Sequence, residues 1–320
     1  MKNKTVGIVL INWDSAEYVI PCIESILASK IIKARIIVVD NASSDGSGGL
    51  IANRFPEVEL IQNDTNIGYT GASNIGIKEL LKEETEYICL LNSDTEVNEY
   101  CFYNLINEIE IDEKIIAVTG KILYPDRRTL WYAGAFIRPW SFQAKHRGIL
   151  QQDTGQYDQV RDVPFISGCC LFVRREGFER VGLLDESLFA YQEDCDWCYR
   201  ATMLGLILKY VPRALIYHKV SKSILKHRSL STKGTSSPLG IYLTNRNRLI
   251  LIRKHRHSFI LRTTAFGHYL GWFAFYGFSL LILGRWNKLV ALLRATKDGL
   301  FVKDHKTIDS LSRSGFLRGR

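Results

Sequence analysis

Along the first 125 residues, short apolar runs alternate with segments in which apolar residues recur every three to four positions. Val6–Trp13, Arg35–Asp40, Val58–Gln62, Tyr87–Leu91 and Ile115–Thr119 are short runs rich in β-branched residues, which predicts five strands. Ser15–Ser29, Leu50–Arg54, Gly71–Leu81 and Asn98–Ile109 carry the helical period between them. Repeated β-α-β units with continuously apolar strands predict an α/β fold with a mostly parallel sheet covered on both faces. Ligands of such sheets sit beyond the carboxyl ends of the strands. Here those ends are Asn12, Asp40, Asn63 and Asn92-Ser93-Asp94, so polar groups are expected to line one crevice.

The pattern then changes. Residues 125–165 are irregular and rich in aromatic and basic groups (Trp131, Tyr132, Trp140, Lys145, His146, Arg147), as in an insertion or a layer of hairpins. PFISGCCLFVRREGFERVG reads as a strand and a helix, a further helix is expected from about Glu193, and Lys209–His218 reads as a strand ending on a histidine. Residues 221–240 read as a polar, flexible stretch, and Tyr242–Lys254 as a basic amphipathic helix. Thr263–Gly284 has no formal charge and is long enough to span a bilayer. Its Trp, Tyr and Phe residues suit the membrane interface equally well, and a buried helix of a helical subdomain is the third reading.

The chain has 320 residues, 46% of them hydrophobic, which suits one large domain with an appendage. We expect one domain over 1–240, with halves meeting near residue 125, and a basic helical region over 241–320. The net charge of +9 is unevenly placed. Residues 1–196 hold 19 basic and 30 acidic side chains, whereas residues 197–297 hold 18 basic and no acidic ones. Such a segment predicts an anionic partner, a phospholipid surface or a diphosphate. Nucleic acid is disfavoured because the basic residues are mixed with a long apolar run. The seven cysteines are odd in number and lie mostly in apolar runs, which predicts buried free thiols, and Cys195-x-x-Cys198 lacks a second pair at zinc spacing. The N-terminal apolar stretch is short for a signal peptide and reads as the first strand.

Neither GxxxxGK[ST] nor GxGxxG after the first strand occurs. Asp40, in VVDNASSDGS, can accept the imino N–H of a pyrimidine or tighten its own loop. In NDTNIGYTGASNIG, Gly68 and Gly71 allow close approach of a ligand to a helix N-terminus, with Asn74 one turn on; the same residues suit plain loop chemistry. In LLNSDTEV, Asp94 either links a divalent ion to a diphosphate or caps the next helix. In YQEDCDWCYR, Glu193, Asp194 and Asp196 beside Tyr191 and Trp197 suit a general base or a helix-dipole partner. His218 is a metal ligand or a polar strand end.

In order, IVLINWDS, VVDNASSDGS, NIGYTGASNIGI, YICLLNSDTEV, FISGCCLFVRR, LLDESLFAYQEDCDWCYRA and YLTNRNRL resemble glycosyltransferase family 2, and within it the bacterial rhamnosyltransferase-like branch. The resemblance covers roughly residues 5–250. It implies a GT-A fold and an inverting transfer from a nucleotide-diphospho-sugar. It assigns Asp40 to the nucleotide base, with Asn12, Asn66, Gly68, Asn74 and Asn92 around the nucleotide-sugar. It assigns Asp94 and His218 to a divalent metal (Mg²⁺ or Mn²⁺), and Asp194 to the catalytic base. Glu193, Asp196, Trp197 and Arg246 are expected at the acceptor or its phosphates. The donor expected is a dTDP- or UDP-sugar, with rhamnose favoured by resemblance alone. The acceptor expected is a glycan linked to a polyprenyl diphosphate, at the cytoplasmic face of the cell membrane. A nucleotidyltransferase would share the crevice, but no Gly-rich activating loop with a basic residue lies near the N-terminus. A non-catalytic basic membrane-binding protein would explain the charge but not the polar strand ends.

Overall fold

The computed structural model describes residues 4–30, 33–138, 140–141, 143–219, 237–255 and 258–301. The polar stretch expected over 221–240 therefore lies outside the described residues up to residue 236. The chain divides into two compact units. The first holds residues up to 136, 146–184 and 194–225; the second gathers 137–145, 185–193 and the residues from 226 onwards.

The first unit is built on a ten-stranded sheet. Strands β1 (Val6–Asn12), β2 (Ala34–Asp40), β3 (Glu59–Gln62) and β4 (Tyr87–Leu91) run parallel in the order β3-β2-β1-β4. Helices α1 (Ala16–Leu27), α2 (Ser47–Arg54) and α3 (Gly68–Leu81) connect them. The interiors of β1 and β4 are buried along nearly their whole length, which explains why these strands read as continuous apolar runs. α3 comes close to β1 through glycine: a methyl on Gly76 would meet Val9, and one on Gly7 would meet Leu80.

Beyond β4 the sheet is mixed. After β5 (Thr95–Val97) and α4 (Cys101–Ile109) come β6 (Ile115–Leu123), β7 (Leu130–Tyr132), β8 (Ala135–Arg138), β9 (Gln143–His146), β10 (Arg161–Asp162) and β11 (Cys170–Arg174); of these β8 and β9 pair with each other in a separate two-stranded sheet, most of whose residues belong to the second unit. They are followed by α5 (Arg175–Val181), α6 (Glu193–Met203) and β12 (Ile207–His218). β11 inserts antiparallel between β4 and β6, and β12 lies parallel to β6. An antiparallel strand buried on both faces is as uniformly apolar as a parallel one, so its direction is not written in its periodicity. β5 was not expected at all. Its three residues pair antiparallel with the end of β12, setting Thr95 opposite His218.

The β6–β12 pairing is interrupted. Val211 pairs with Gly120 and Leu215 with Lys121, so Pro212, Arg213 and Ala214 bulge out. Proline has no N–H for the ladder, and a bulge is where a strand tolerates it. The bulge rests on Gly120, where a methyl would lie 2.1 Å from the Ala214 carbonyl oxygen.

The second unit contains α7 (Pro238–His255), α8 (Phe259–Ile282) and α9 (Trp286–Phe301). Its core joins Phe189, Ile241, Tyr242, Leu280, Leu292 and Ala295. α7 is expected from the sequence to be a basic amphipathic helix, with Arg246 at the acceptor or its phosphates. Instead Asn245, Arg246, Asn247 and Arg248 are all buried. Their polar groups bond to carbonyls of neighbouring segments, Arg246 to Ser187 and Asn247 to Leu188, which allows them inside.

The bulge generates a test. Gly120→Ala should destabilise by about 3 kcal/mol, because the atom it meets is backbone and cannot swing away. Gly49→Ala, on an exposed helical position with open space around it, should not destabilise. Thermal or urea unfolding of both variants checks the contrast; equal stabilities would contradict the packing argument.

Candidate active site

Three groups of side chains gather at the carboxyl ends of the strands of the first unit. The first surrounds Asp40. Asn12 Nδ2 donates to Asp40 Oδ1 at 2.6 Å and to Ser47 Oγ at 2.7 Å, and the Ser43 hydroxyl also donates to Oδ1. Asp40 Oδ2 receives a single long bond, from Ser43 N–H at 3.3 Å, which leaves acceptor capacity on that oxygen. Trp13, next to Asn12, is 50% exposed. Asn41, which the sequence did not single out, organises the following loop. It donates to Asn66 Oδ1 and to the Gly68 carbonyl, and accepts from Ile67 N–H. Asn66 in turn accepts from Gly68 N–H at 2.9 Å, and Gly68 has φ +80°, a conformation that favours glycine.

The second group is Asp94 and His218. β5 begins directly after Asp94 and β12 ends on His218, so their pairing delivers the two side chains to one another. His218 Nε2 lies 3.1 Å from Asp94 Oδ1, and Lys219 N–H donates to the Asp94 carbonyl at 2.7 Å. His218 is buried, and its Nδ1 has no partner among the described residues. Trp131 stands edge-on to His218 at 4.6 Å and to His146 at 4.5 Å. Burial lowers the His146 imidazole to about 4, so it stays neutral near neutral pH. Among the described residues no cluster of three or more His, Cys, Asp or Glu forms, so Asp94 and His218 are a two-ligand set. The alternative of Asp94 capping a helix is not realised: α4 begins at Cys101, with β5 in between.

The third group is Asp194, the second residue of α6. Its Oδ2 accepts from Gly168 N–H and its Oδ1 from Cys195 N–H, both at 2.7 Å. Burial raises its carboxyl above the usual range, and the backbone N–H groups pull the other way. Gly168 is a residue the sequence reading missed, although FISGCC was among the matching motifs. A methyl there would lie 3.3 Å from Asp194 Oδ2. The turn around Gly168 ties the groups together, because Cys169 O accepts from Asn92 N–H at 3.0 Å. Asn92 O accepts in turn from Thr95, at the start of β5.

Several expected site residues have other work. Asn74 is engaged within the fold: its amide donates to Leu184 O and accepts from Leu184 N–H, bracing that turn. Asp196 is fully buried and bonds Arg200, which also donates to Val181 O and Leu183 O. Trp197 is fully buried, with its indole N–H on Gly182 O, so it is a core residue. Arg246 donates to Ser187 O and to Asn247 Oδ1. Glu193 is buried at the start of α6. All seven cysteines are free and buried, and Cys198 Sγ bonds the Ile166 backbone.

The sequence pattern described as Glycosyl transferase family 2 matches residues 7–182, more than half of the chain. The chain is 27% identical over 202 residues to the low-salt glycan biosynthesis hexosyltransferase Agl10 of Haloferax volcanii, covering 61% of each protein. It is 27% identical over 227 residues to the N-acetylglucosaminyl-diphospho-decaprenol L-rhamnosyltransferase of Mycobacterium tuberculosis, covering 63% of this chain and 73% of that one. Its fold is similar to that of the mannosyltransferase PcManGT from Pyrobaculum calidifontis, solved in complex with GDP-Man and Mn²⁺. The TM-score is 0.57 at 16% identity, over 93% of this chain and 88% of that one. With a GT-A sheet, the strand-end residues described above and a family match over most of its first unit, this chain belongs to glycosyltransferase family 2.

Proposed function

We propose that the protein transfers a sugar, with inversion, from a nucleotide-diphospho-sugar to a hydroxyl of a glycan acceptor. The observation that carries this reading is the turn at Gly168, which joins the end of β4 just before Asp94 to Asp194 through two hydrogen bonds, Asn92 N–H to Cys169 O and Gly168 N–H to Asp194 Oδ2. In the reaction the acceptor oxygen bonds to the anomeric carbon as the bond from that carbon to the diphosphate oxygen breaks. The acceptor proton goes to the Asp194 carboxylate, and the nucleoside diphosphate leaves. One displacement inverts the centre without a covalent sugar–enzyme intermediate. A base whose carboxyl is raised by burial is a better proton acceptor than an ordinary aspartate. Asp40 Oδ2 would receive the imino N–H of a thymine or uracil, and the exposed ring of Trp13 offers a face on which the base can stack.

The residues present fit a divalent ion. Asp94 offers a carboxylate oxygen and His218 an imidazole on the same spot, an oxygen–nitrogen set that Mn²⁺ and Mg²⁺ accept when phosphate oxygens complete the shell. Held there, such an ion supplies charge neutralisation for the departing diphosphate. A glycan on a polyprenyl diphosphate as acceptor, and rhamnose from dTDP-rhamnose as donor, are supported by the name of the mycobacterial relative and by the motif resemblance.

We place the enzyme on the cytoplasmic face of a membrane. α8 is long and apolar enough to cross a bilayer. Its inner face is already occupied, with Ala265, Tyr269 and Leu280 buried and the Tyr269 hydroxyl bonded to Thr296 of α9. Its outer face presents Leu270, Phe275 (74% exposed), Phe278 and Ile282, and α9 adds Trp286 and Leu293. An apolar face on an acid-free segment fits an anionic leaflet, with the helix lying in the interface.

Four outcomes are expected. Asp194→Asn should lower kcat by about 10²–10⁴-fold with little change in donor KM. In the parent, kcat should fall as the pH drops and the base protonates, with a midpoint above the ordinary aspartate value of about 3.9. Transfer that survives Asp194→Asn undiminished would sink the base assignment. Mn²⁺ should bind about tenfold or more tightly when UDP or dTDP is present, and Asp94→Ala or His218→Ala should abolish that coupling in titration calorimetry. Finally, the protein should pellet with phosphatidylglycerol vesicles in a salt-sensitive way, and Phe275→Asp with Phe278→Asp should release it. Unchanged pelleting of the double variant would remove α8 from the membrane contact.

A further inference from the structure

The segment that leads into Asp194 has an unusual backbone. Asp185 caps a single 3₁₀ turn, Glu186–Leu188, by accepting from Ser187 N–H. Phe189 then has φ 61° and ψ −59°, and Ala190 N–H bonds back to Leu188 O at 2.7 Å. This is a γ-turn of the rare, strained hand. Tyr191 and Gln192 follow with φ 70° and 72°. Three of four consecutive residues therefore hold a conformation that side chains other than glycine disfavour, immediately before α6 begins at Glu193. Such a backbone persists only where its surroundings over-determine it.

The surroundings are supplied by α7, within the same unit. Asn247 is fully buried, and its Nδ2 lies 2.8 Å from Leu188 O, 2.9 Å from Ala190 O and 2.8 Å from Tyr191 O. Arg246 Nη1 donates to Ser187 O and to Asn247 Oδ1, which fixes the Asn247 amide with its N–H groups towards the loop. Gln192 Nε2 donates to Thr244 O, and Lys254 Nζ to Asp185 Oδ2. The Phe189 side chain is buried in the core with Ile241 and Tyr242.

We infer that Asn247, oriented by Arg246, is a positioning residue for the transfer reaction: it holds loop 185–192 in its strained path and so sets where α6 starts and where Asp194 stands. The inference rests on the reading of Asp194 as the base. It also gives the buried Asn-Arg-Asn-Arg run of α7 a role other than contact with an anionic substrate. Asn247 touches neither substrate nor reacting atoms; it acts through three carbonyl groups.

The test uses the full chain, dTDP-rhamnose and a polyprenyl-diphosphate-linked N-acetylglucosamine acceptor, with UDP-sugars as further donors. Asn247→Ala should lower kcat by about 30- to 100-fold, the size of effect expected from a small misplacement of a reacting group. Donor KM and dTDP affinity, followed by tryptophan fluorescence, should stay within about twofold, a change too small to register against that loss. Asn247→Asp keeps the shape but removes the donors, and should be at least as impaired. Adding Gln192→Gly to Asn247→Ala should recover part of kcat, because glycine adopts the positive φ without help. A loss of dTDP affinity parallel to the loss of kcat would overturn the inference in favour of a general packing role, as would full kcat in Asn247→Asp. Asp194→Asn is the separate control. If it retains turnover, the base reading fails; if it is inactive while both Asn247 variants are normal, the positioning inference alone fails.

Discussion

Three residue pairs between β5 and β12, Val97 with Ile216, Glu96 with Tyr217 and Thr95 with His218, hold the site in register. A strand displaces its side chains to alternate faces, so a slip of one residue in this short ladder would turn His218 away from Asp94. The ladder is too short to fix itself. It is held from both sides: Lys219 N–H reaches the Asp94 carbonyl, Asn98 N–H reaches Leu215 O, and the bulge at Pro212–Ala214 resets the phase of β12 just before the pairing begins. Gly120 makes room for that bulge. A glycine in the middle of the sheet and a histidine at its end thus belong to one device.

On the proposed reading of Asp194 as the base, it illustrates a balance that a catalytic carboxylate must strike. Complete burial without partners would raise its pKa by up to about 3–5 units and leave it protonated. Full solvation would leave it a weak base. Two backbone N–H groups, from Gly168 and Cys195, hold it between these limits. The loop before it is balanced differently. A residue in a disfavoured backbone region costs about 1–3 kcal/mol, and a net hydrogen bond returns about 0.5–1.5 kcal/mol. About two bonds must therefore offset each strained residue, which is the order of what α7 supplies along the loop, at Asp185, Ser187, Leu188, Ala190, Tyr191 and Gln192.

Much of this was legible in the sequence. β1, β2, β3 and β4 announce themselves as apolar runs that stop on polar residues; Asp40 and Asp94 lie at or just past such ends and His218 at the end of β12, while Asp194 stands in an acidic run that opens α6. What the sequence hid falls into recognisable kinds. β5 has three residues, too few for a period. The direction of β11 is invisible because both of its faces are buried. Asn74 and Trp197 sit inside matching motifs, yet their partners, Leu184 and Gly182, are backbone groups that proximity in sequence does not reveal, whereas Asp196 pairs with Arg200 one turn on, a spacing open to the sequence. The polar run of α7 looked like a surface because composition cannot distinguish arginine in water from arginine on buried carbonyls. Gly168 escaped notice because its contribution is an N–H, which every residue but proline possesses.

The dependence of loop 185–192 on α7 bears on how such a chain can be recombined. The loop and its clamp are separated by more than forty positions, yet the loop owes its path to the clamp. On the proposed roles of Asp194 and Asn247, a crossover falling between residues 193 and 238 would join the loop of one parent to the helix of another, and any mismatch at Asn247 would reach the reaction centre without altering a single residue that touches substrate. The heritable module for the base is therefore discontinuous. It consists of two short pieces that must travel together, while the strands between Val6 and Leu91 form a contiguous stretch of sequence that is tied to the later chain through β11 and Leu184.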